Sequence, residues 1–231
     1  MTALTSALEI TKLAHEMHVD EAELAELAEF ATTSPDDLRD LRGIVSHAMF
    51  SRHESRVKGL AAVSKKLPAA VTAKITEFAM GPMLSARVAA VMDPADAAKL
   101  AGHLKPEFLA ELSVHLDPSR VEGIIAKLDS ALVVEVGRRL LSEGHLLTLA
   151  RFTGVVRPET SLEVVDGASG AEILELALFI DEPSVVDPIL AGLSDETVAE
   201  IAAATAEHGE AADALLAALH EDSRARIASL T

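Results

Sequence analysis

The sequence predicts an all-α protein: a right-handed, α-solenoid-like superhelix of short helices with a repeat of about twelve residues. Three observations carry this. Period-two alternation of apolar and polar residues is scarce. Apolar residues instead recur at i, i+3 and i+7. One phrase is said four times without a gap, in Asp93–Leu104, Lys105–Leu116, Asp117–Leu128 and Asp129–Leu140. Its second position is Pro94, Pro106, Pro118 and then Ser130, its fifth Ala97, Leu109, Val121 and Val133, and its eighth Leu100, Leu112, Ile124 and Val136. Leucine closes all four. Each phrase is thus a helix of about ten residues with proline at its first position, where the missing N–H costs nothing. Such a helix is too short to stand alone, so it must lay its apolar stripe on its neighbours.

Along the chain, the segment 20–31 (DEAELAELAEFA) spaces Leu24, Leu27 and Phe30 three apart between acids. A helix starting after Ser34 has that serine as N-cap, Pro35 at its first position, and Asp36 and Asp37 in its first turn. The phrase extends backwards through Gly81–Met92, with Val88 and Met92 in register, and a helix of similar length covers Leu67–Phe78. The stretch 143–156 (EGHLLTLARFTGVV) interrupts the period; 147–156 is the nearest approach to a strand and also fits a helix ending at Gly154. Val164–Glu172, with two glycines and a serine, is the strongest turn or hinge signal. The period resumes in 182–193 and from Ser194, although Pro188 inside its phrase is expected to break or kink the helix. Three segments follow: an N-terminal helical cap at 1–66, a repeat body at 67–160 and acidic C-terminal repeats at 161–231.

The run Met92–Pro118 (MDPADAAKLAGHLKPEFLAELSVHLDP) resembles the cytoplasmic N-terminal superhelical domain of MgtE-type magnesium transporters, and the motor-switch protein FliG uses related short-helix repeats. The resemblance covers residues 67–140 well and 182–230 weakly. It implies the superhelical fold. The paired nucleotide-binding-type domains and the pore of the transporters have no counterpart in these residues, so transport is not implied. A magnesium-responsive regulatory role is the expectation that it adds.

Composition narrows the function. The chain of 231 residues has a net charge of −17, so its surface as a whole repels nucleic-acid phosphates. The charge is uneven. Residues 1–38 carry one lysine against nine acids, 39–66 seven Lys/Arg against two acids, and 157–231 three arginines against sixteen acids. Cysteine is absent, so disulfides, thiolate metal sites and cysteine nucleophiles are excluded. Aromatics are only 3% of residues, with no Trp or Tyr, which leaves little to stack on bases or flat cofactors and argues against a haem pocket around His47, Met49 and His53. No leader-like start and no bilayer-length apolar run is evident, and a cytoplasmic protein is expected.

No catalytic signature emerges: there is no nucleophile elbow, Walker loop or dinucleotide fingerprint. His15 and His18 share a helix face and are candidate metal ligands, one residue short of the zincin spacing. His103, His115, Lys127 and Arg139 stand at the eleventh position of successive phrases, each directly before the closing leucine, and could form a basic ladder that binds an anion or partner. The helix dipole alone also places cations at C-terminal turns. The basic patch Arg39, Arg42, Arg52, Arg56 and Lys58 could meet an acidic partner, a second copy or the chain's own acids. The function expected is a non-enzymatic helical repeat module for protein–protein interaction or regulation. The alternatives are a divalent-cation (Mg²⁺) responsive protein and a carrier of a small apolar ligand.

Overall fold

Helix follows helix with turns of a few residues in this computed structural model, which describes residues 3–17, 19–20, 22, 33–51, 54–64 and 67–230. Every regular element among them is helical. The chain forms two compact units, 1–54 and 55–231. Residues 55–66, grouped with the cap by sequence, therefore begin the second unit, and no unit boundary falls at 160/161.

The first unit holds α1 (Ala3–Met17) and α2 (Pro35–Ser51), packed on each other. Ile10, Leu13, Ala14 and Leu38 are its buried core. The hydroxyl oxygen of Ser34 accepts from the Asp37 amide at 3.1 Å, which starts α2 where the sequence predicts.

In the second unit come α3 (Glu54–Ser64), α4 (Ala69–Ile75, continued by a π turn over Thr76–Met80), α5 (Gly81–Ala89), α6 (Pro94–Ala101), α7 (Pro106–Ser113), α8 (Pro118–Ile125) and α9 (Ser130–Ser142). Then follow α10 (Leu146–Thr153), α11 (Pro158–Val165), α12 (Gly170–Leu178), α13 (Val186–Gly192), α14 (Asp195–Ala218, broken at Gly209) and α15 (Glu221–Ser229). The phrase boundaries are helix N-caps. Asp93, Asp117 and Asp129 each accept a first-turn amide at 2.9–3.1 Å through the side chain. Lys105 cannot cap itself, and Glu77 accepts its amide at 2.8 Å instead.

The interruption at 143–156 is an insertion of one helical turn. The helix α9 runs on through Ser142 and ends in a Schellman turn: Gly144 has φ +76°, its amide bonds to Leu141 O, and the His145 amide bonds to Leu140 O at 2.8 Å. From His145 the twelve-residue step restarts, with N-caps at His145, Arg157 and Ser169. One further residue, Asp181, precedes the phrases at Glu182 and Ser194. The segment 147–156 is thus helix ending at a Gly154 C-cap, not strand. Pro188 breaks nothing: a 3₁₀ turn covers Pro183–Val185, and Pro188 lies in the first turn of α13, where no intrahelical N–H bond is due.

From α4 on, helices pack on the next but one, with one gap between α8 and α10. One row runs α5, α7, α9, α11, α13, α15; the other contains α4, α6, α8 and then α10, α12, α14. Between α8 and α10, alongside the extra turn of α9, the row is bridged by the large side chain of Phe152, which shares a cluster with Val121 and Ile124. Polar side chains tie helices along a row. Arg138 donates twice to Glu163 O (2.9 and 3.1 Å), and Arg226 reaches the last carbonyls of α13. Three glycines, Gly137, Gly170 and Gly192, set the closest approaches, and a Cβ on Gly192 would run into Leu162 Cδ1. A Cβ on Gly137 would lie 2.6 Å from Val164 Cγ2, and one on Gly170 only 2.5 Å from Ile201 N.

The hinge signal at Val164–Glu172 is a capped turn. Gly167 has φ +88°. Ser169 and Glu172 form a capping box, and the Gly170 amide donates to Glu200 at 2.8 Å. The Ser169 backbone amide, then its hydroxyl, hold the Glu172 carboxyl below its usual range, against a small opposing effect of burial.

Gly170→Ala should destabilise the protein by about 1–3 kcal/mol, because backbone blocks the methyl. The fall is read as a lower Tm, with Gly154→Ala, whose Cβ meets nothing, as a near-neutral control. Because the Glu172 pKa is depressed in the fold, its contribution is present above the unfolded carboxylate pKa and is lost as pH falls through the folded value. Glu172→Gln should therefore lower Tm at neutral pH, and the gap from wild type should narrow as acid protonates Glu172.

Candidate functional site: an apolar cavity

The stripe of each phrase faces inward, and the inward faces line a partly open cavity of about 370 Å³ in the second unit. All twelve stripe residues of the four phrases at 93–140 line it. So do Leu149, Phe152 and Val156, and Ile173, Leu176 and Ile180, at the same phrase positions beyond the inserted turn. The lining extends from Leu60 in α3 to Ile189 in α13.

None of the lining residues is charged and none is histidine. Of the six hydroxyls in the wall, four are turned back on backbone carbonyls one turn away: Ser113 donates to Leu109 O at 2.7 Å, Thr153 to Leu149 O at 3.1 Å, Thr72 to Pro68 O at 3.3 Å and Ser85 to Gly81 O at 2.6 Å. Those four donors are spent locally. Phe152 is the single aromatic in the wall. Such a wall offers dispersion and hydrophobic contact along an aliphatic surface. It offers no ionic anchor and little to stack a ring on.

None of the residues singled out by charge or metal-ligand chemistry lies in this wall. His103 and Lys127 are exposed in the turns after α6 and α8, while His115 follows α7 and Arg139 lies on α9. Because these helices pack on the next but one, the four alternate between two rows. Arg139 is engaged by Glu107 on α7 at 3.2 Å and by Glu143 at 3.1 Å.

Of the basic patch, Arg39 and Arg42 turn to acids of the first unit. Arg39 pairs with Asp36 at 3.0 Å and lies 3.5 Å from the buried carboxylate of Glu9. Arg42 lies 3.8 Å from the same carboxylate, and Lys12, itself buried, bonds to it at 3.1 Å. Lys58 is exposed on α3; Arg52 and the side chain of Arg56 lie outside the described residues. His15 is half-buried in the last turn of α1, whereas His18, His53 and the side chains of His47 and Met49 lie outside the described residues. Among the described residues, no group of three or more His, Asp or Glu is placed to hold a metal ion, and no helix is long and apolar enough to cross a membrane.

No family model, curated protein or solved structure matches the chain.

The lining was half legible. Its signal is the stripe itself, but the turn inserted at 141–144 shifts the register by four and hides the later lining residues from a fixed period of twelve.

Glu9→Leu removes the carboxylate shared by Lys12, Arg39 and Arg42. It should destabilise the first unit by about 3 kcal/mol, since the buried Lys12 ammonium loses a carboxylate that it bonds to. Faster amide hydrogen exchange across α1 and α2 would register the loss.

Proposed function

We infer that the second unit is a non-enzymatic binding module that takes up an aliphatic chain in its cavity. The observation that carries this reading is the wall without a charged residue, apolar at the same three positions of one phrase after another from Asp93 to Leu140 and again from His145 to Val156. A cavity of about 150 Å³ lined by Leu, Ile and Phe holds a six-carbon ring. By proportion, 370 Å³ accommodates about fifteen carbons. At about 24 cal/mol per Å³, filling that volume with apolar atoms is worth at most about 9 kcal/mol, as much as a typical domain's whole stability. A wall with no charged group and one aromatic ring favours a flexible hydrocarbon over a polar metabolite or a flat cofactor. The solvent-facing surface of the rows, which carries the acids, keeps such a carrier soluble.

The test is direct binding of a fluorescent long-chain fatty acid, with native mass spectrometry of the freshly purified protein beside it. Saturable binding at one chain per protein, with Tm rising as the ligand is added, is the expected outcome. Leu100→Trp with Leu128→Trp fills part of the cavity from two partly buried positions. Affinity should fall by about tenfold or more while Tm holds, since each 1.4 kcal/mol of lost contact is a factor of ten. Absence of binding by the wild type, or equal binding by the filled variant, would refute the reading.

A further inference from the structure

The phrase is inverted at one end of the second unit. In α4 and its π turn, Ala73 and Thr76, at the stripe positions, are buried, and so is Thr72. On the opposite face, Val71 and Ile75 are 46% and 45% exposed and Phe78 is 86% exposed. These are phrase positions three, seven and ten. In later phrases position seven holds Lys99, Glu111, Gly123 and Glu135, and position ten holds Gly102, Val114, Ala126 and Arg138. A solvated helix face ordinarily carries residues like those. Here the outer face is the apolar one, and among the described residues none buries it.

The inversion is local. Among the described residues, every large hydrophobic of the second unit that is exposed lies between Leu60 and Leu84. Three of them, Leu60, Leu67 and Ile75, also line the cavity, so the cavity wall reaches solvent at this patch. The charge changes at the same place. Residues 55–90 carry six Lys/Arg and one acid, whereas 91–231 carry ten Lys/Arg against twenty-five acids. The single acid, Glu77, is occupied by the Lys105 amide. Among the described residues, Lys74 is exposed on α4 between Val71 and Ile75 in sequence, and Lys58 is exposed on α3. An apolar face whose own helices carry cations, on a chain otherwise acidic, is the pattern that settles at an anionic lipid interface. The apolar side chains enter the headgroup boundary, the cations meet lipid phosphates, and the acidic remainder is held away.

We propose that the α3–α5 end of the second unit docks on an anionic lipid bilayer, and that this contact sets the open end of the cavity against the source of its aliphatic chain. The proposal rests on the reading of the cavity as a chain-binding site and adds where the chain comes from. A surface contact of this kind needs no spanning helix.

Sedimentation with vesicles tests it. The full chain should pellet with mixed phosphatidylcholine–phosphatidylglycerol vesicles at low ionic strength and stay in solution with pure phosphatidylcholine. Added salt should weaken the binding, because the headgroup attraction is screened. Val71→Asp and Phe78→Asp change exposed positions outside the cavity wall, so the fold should survive, as thermal melting will show. Each should weaken vesicle binding by about tenfold or more, while uptake of the fluorescent fatty acid in vesicle-free solution stays at the wild-type level. No pelleting with the mixed vesicles, or pelleting indifferent to Phe78→Asp, overturns the docking proposal even if the fatty acid still binds. A concentration-dependent dimer that Phe78→Asp dissolves, without vesicle binding, overturns it too and assigns the patch to self-contact. Loss of fatty-acid uptake by wild type in solution would instead strike the cavity reading.

Discussion

A helix of eight residues is about 12 Å long and cannot hold itself together in water. That constraint governs the second unit. Each short helix must find support from outside its own phrase, and it finds it on the next helix but one. The contact is close enough that Gly137 and Gly170 have no room for a side-chain carbon. Support along two rows leaves the stripe of each phrase turned to the space between them. The cavity is thus a consequence of how short helices are made stable, with the same residues providing support and wall.

Polar chemistry is kept out of that space by the same arrangement. Carboxylates cap helix starts, arginines bridge to helix ends along a row, and most hydroxyls that reach the wall, Ser113 among them, bond to their own helices. What remains facing inward is aliphatic. This is why the ligand we propose is a hydrocarbon and not a charged molecule. Arg139 illustrates the difference: conspicuous in the repeat, it is taken up by Glu107 and Glu143.

Legibility in the sequence followed the range of the interaction. Caps are local, and Ser34, Asp93, Asp117 and Asp129 stand where the chain announces them. The stripe at positions five, eight and twelve was equally plain over 93–140. Four additional residues at 141–144 concealed its continuation, because a full helical turn keeps the faces aligned in space while shifting the count along the chain. A ladder of His103, His115, Lys127 and Arg139 supposed that successive helices stack directly; packing on the next but one divides them between rows. The exposed face of α4 was invisible for a simpler reason, since Val71, Ile75 and Phe78 read as an ordinary core stripe until their surroundings are known.

By itself, the sequence determined the building unit: an all-α chain, a twelve-residue step, the capped starts, and which residues of each phrase share a face. Those properties follow from bonds within a turn or two of helix. Only the tertiary structure decided what each face meets. Periodicity groups apolar residues but is silent on whether they will touch a neighbouring helix, a cavity or solvent. In this protein one pattern does all three: Val134 is buried in the core, Leu128 lines the cavity and Phe78 faces water.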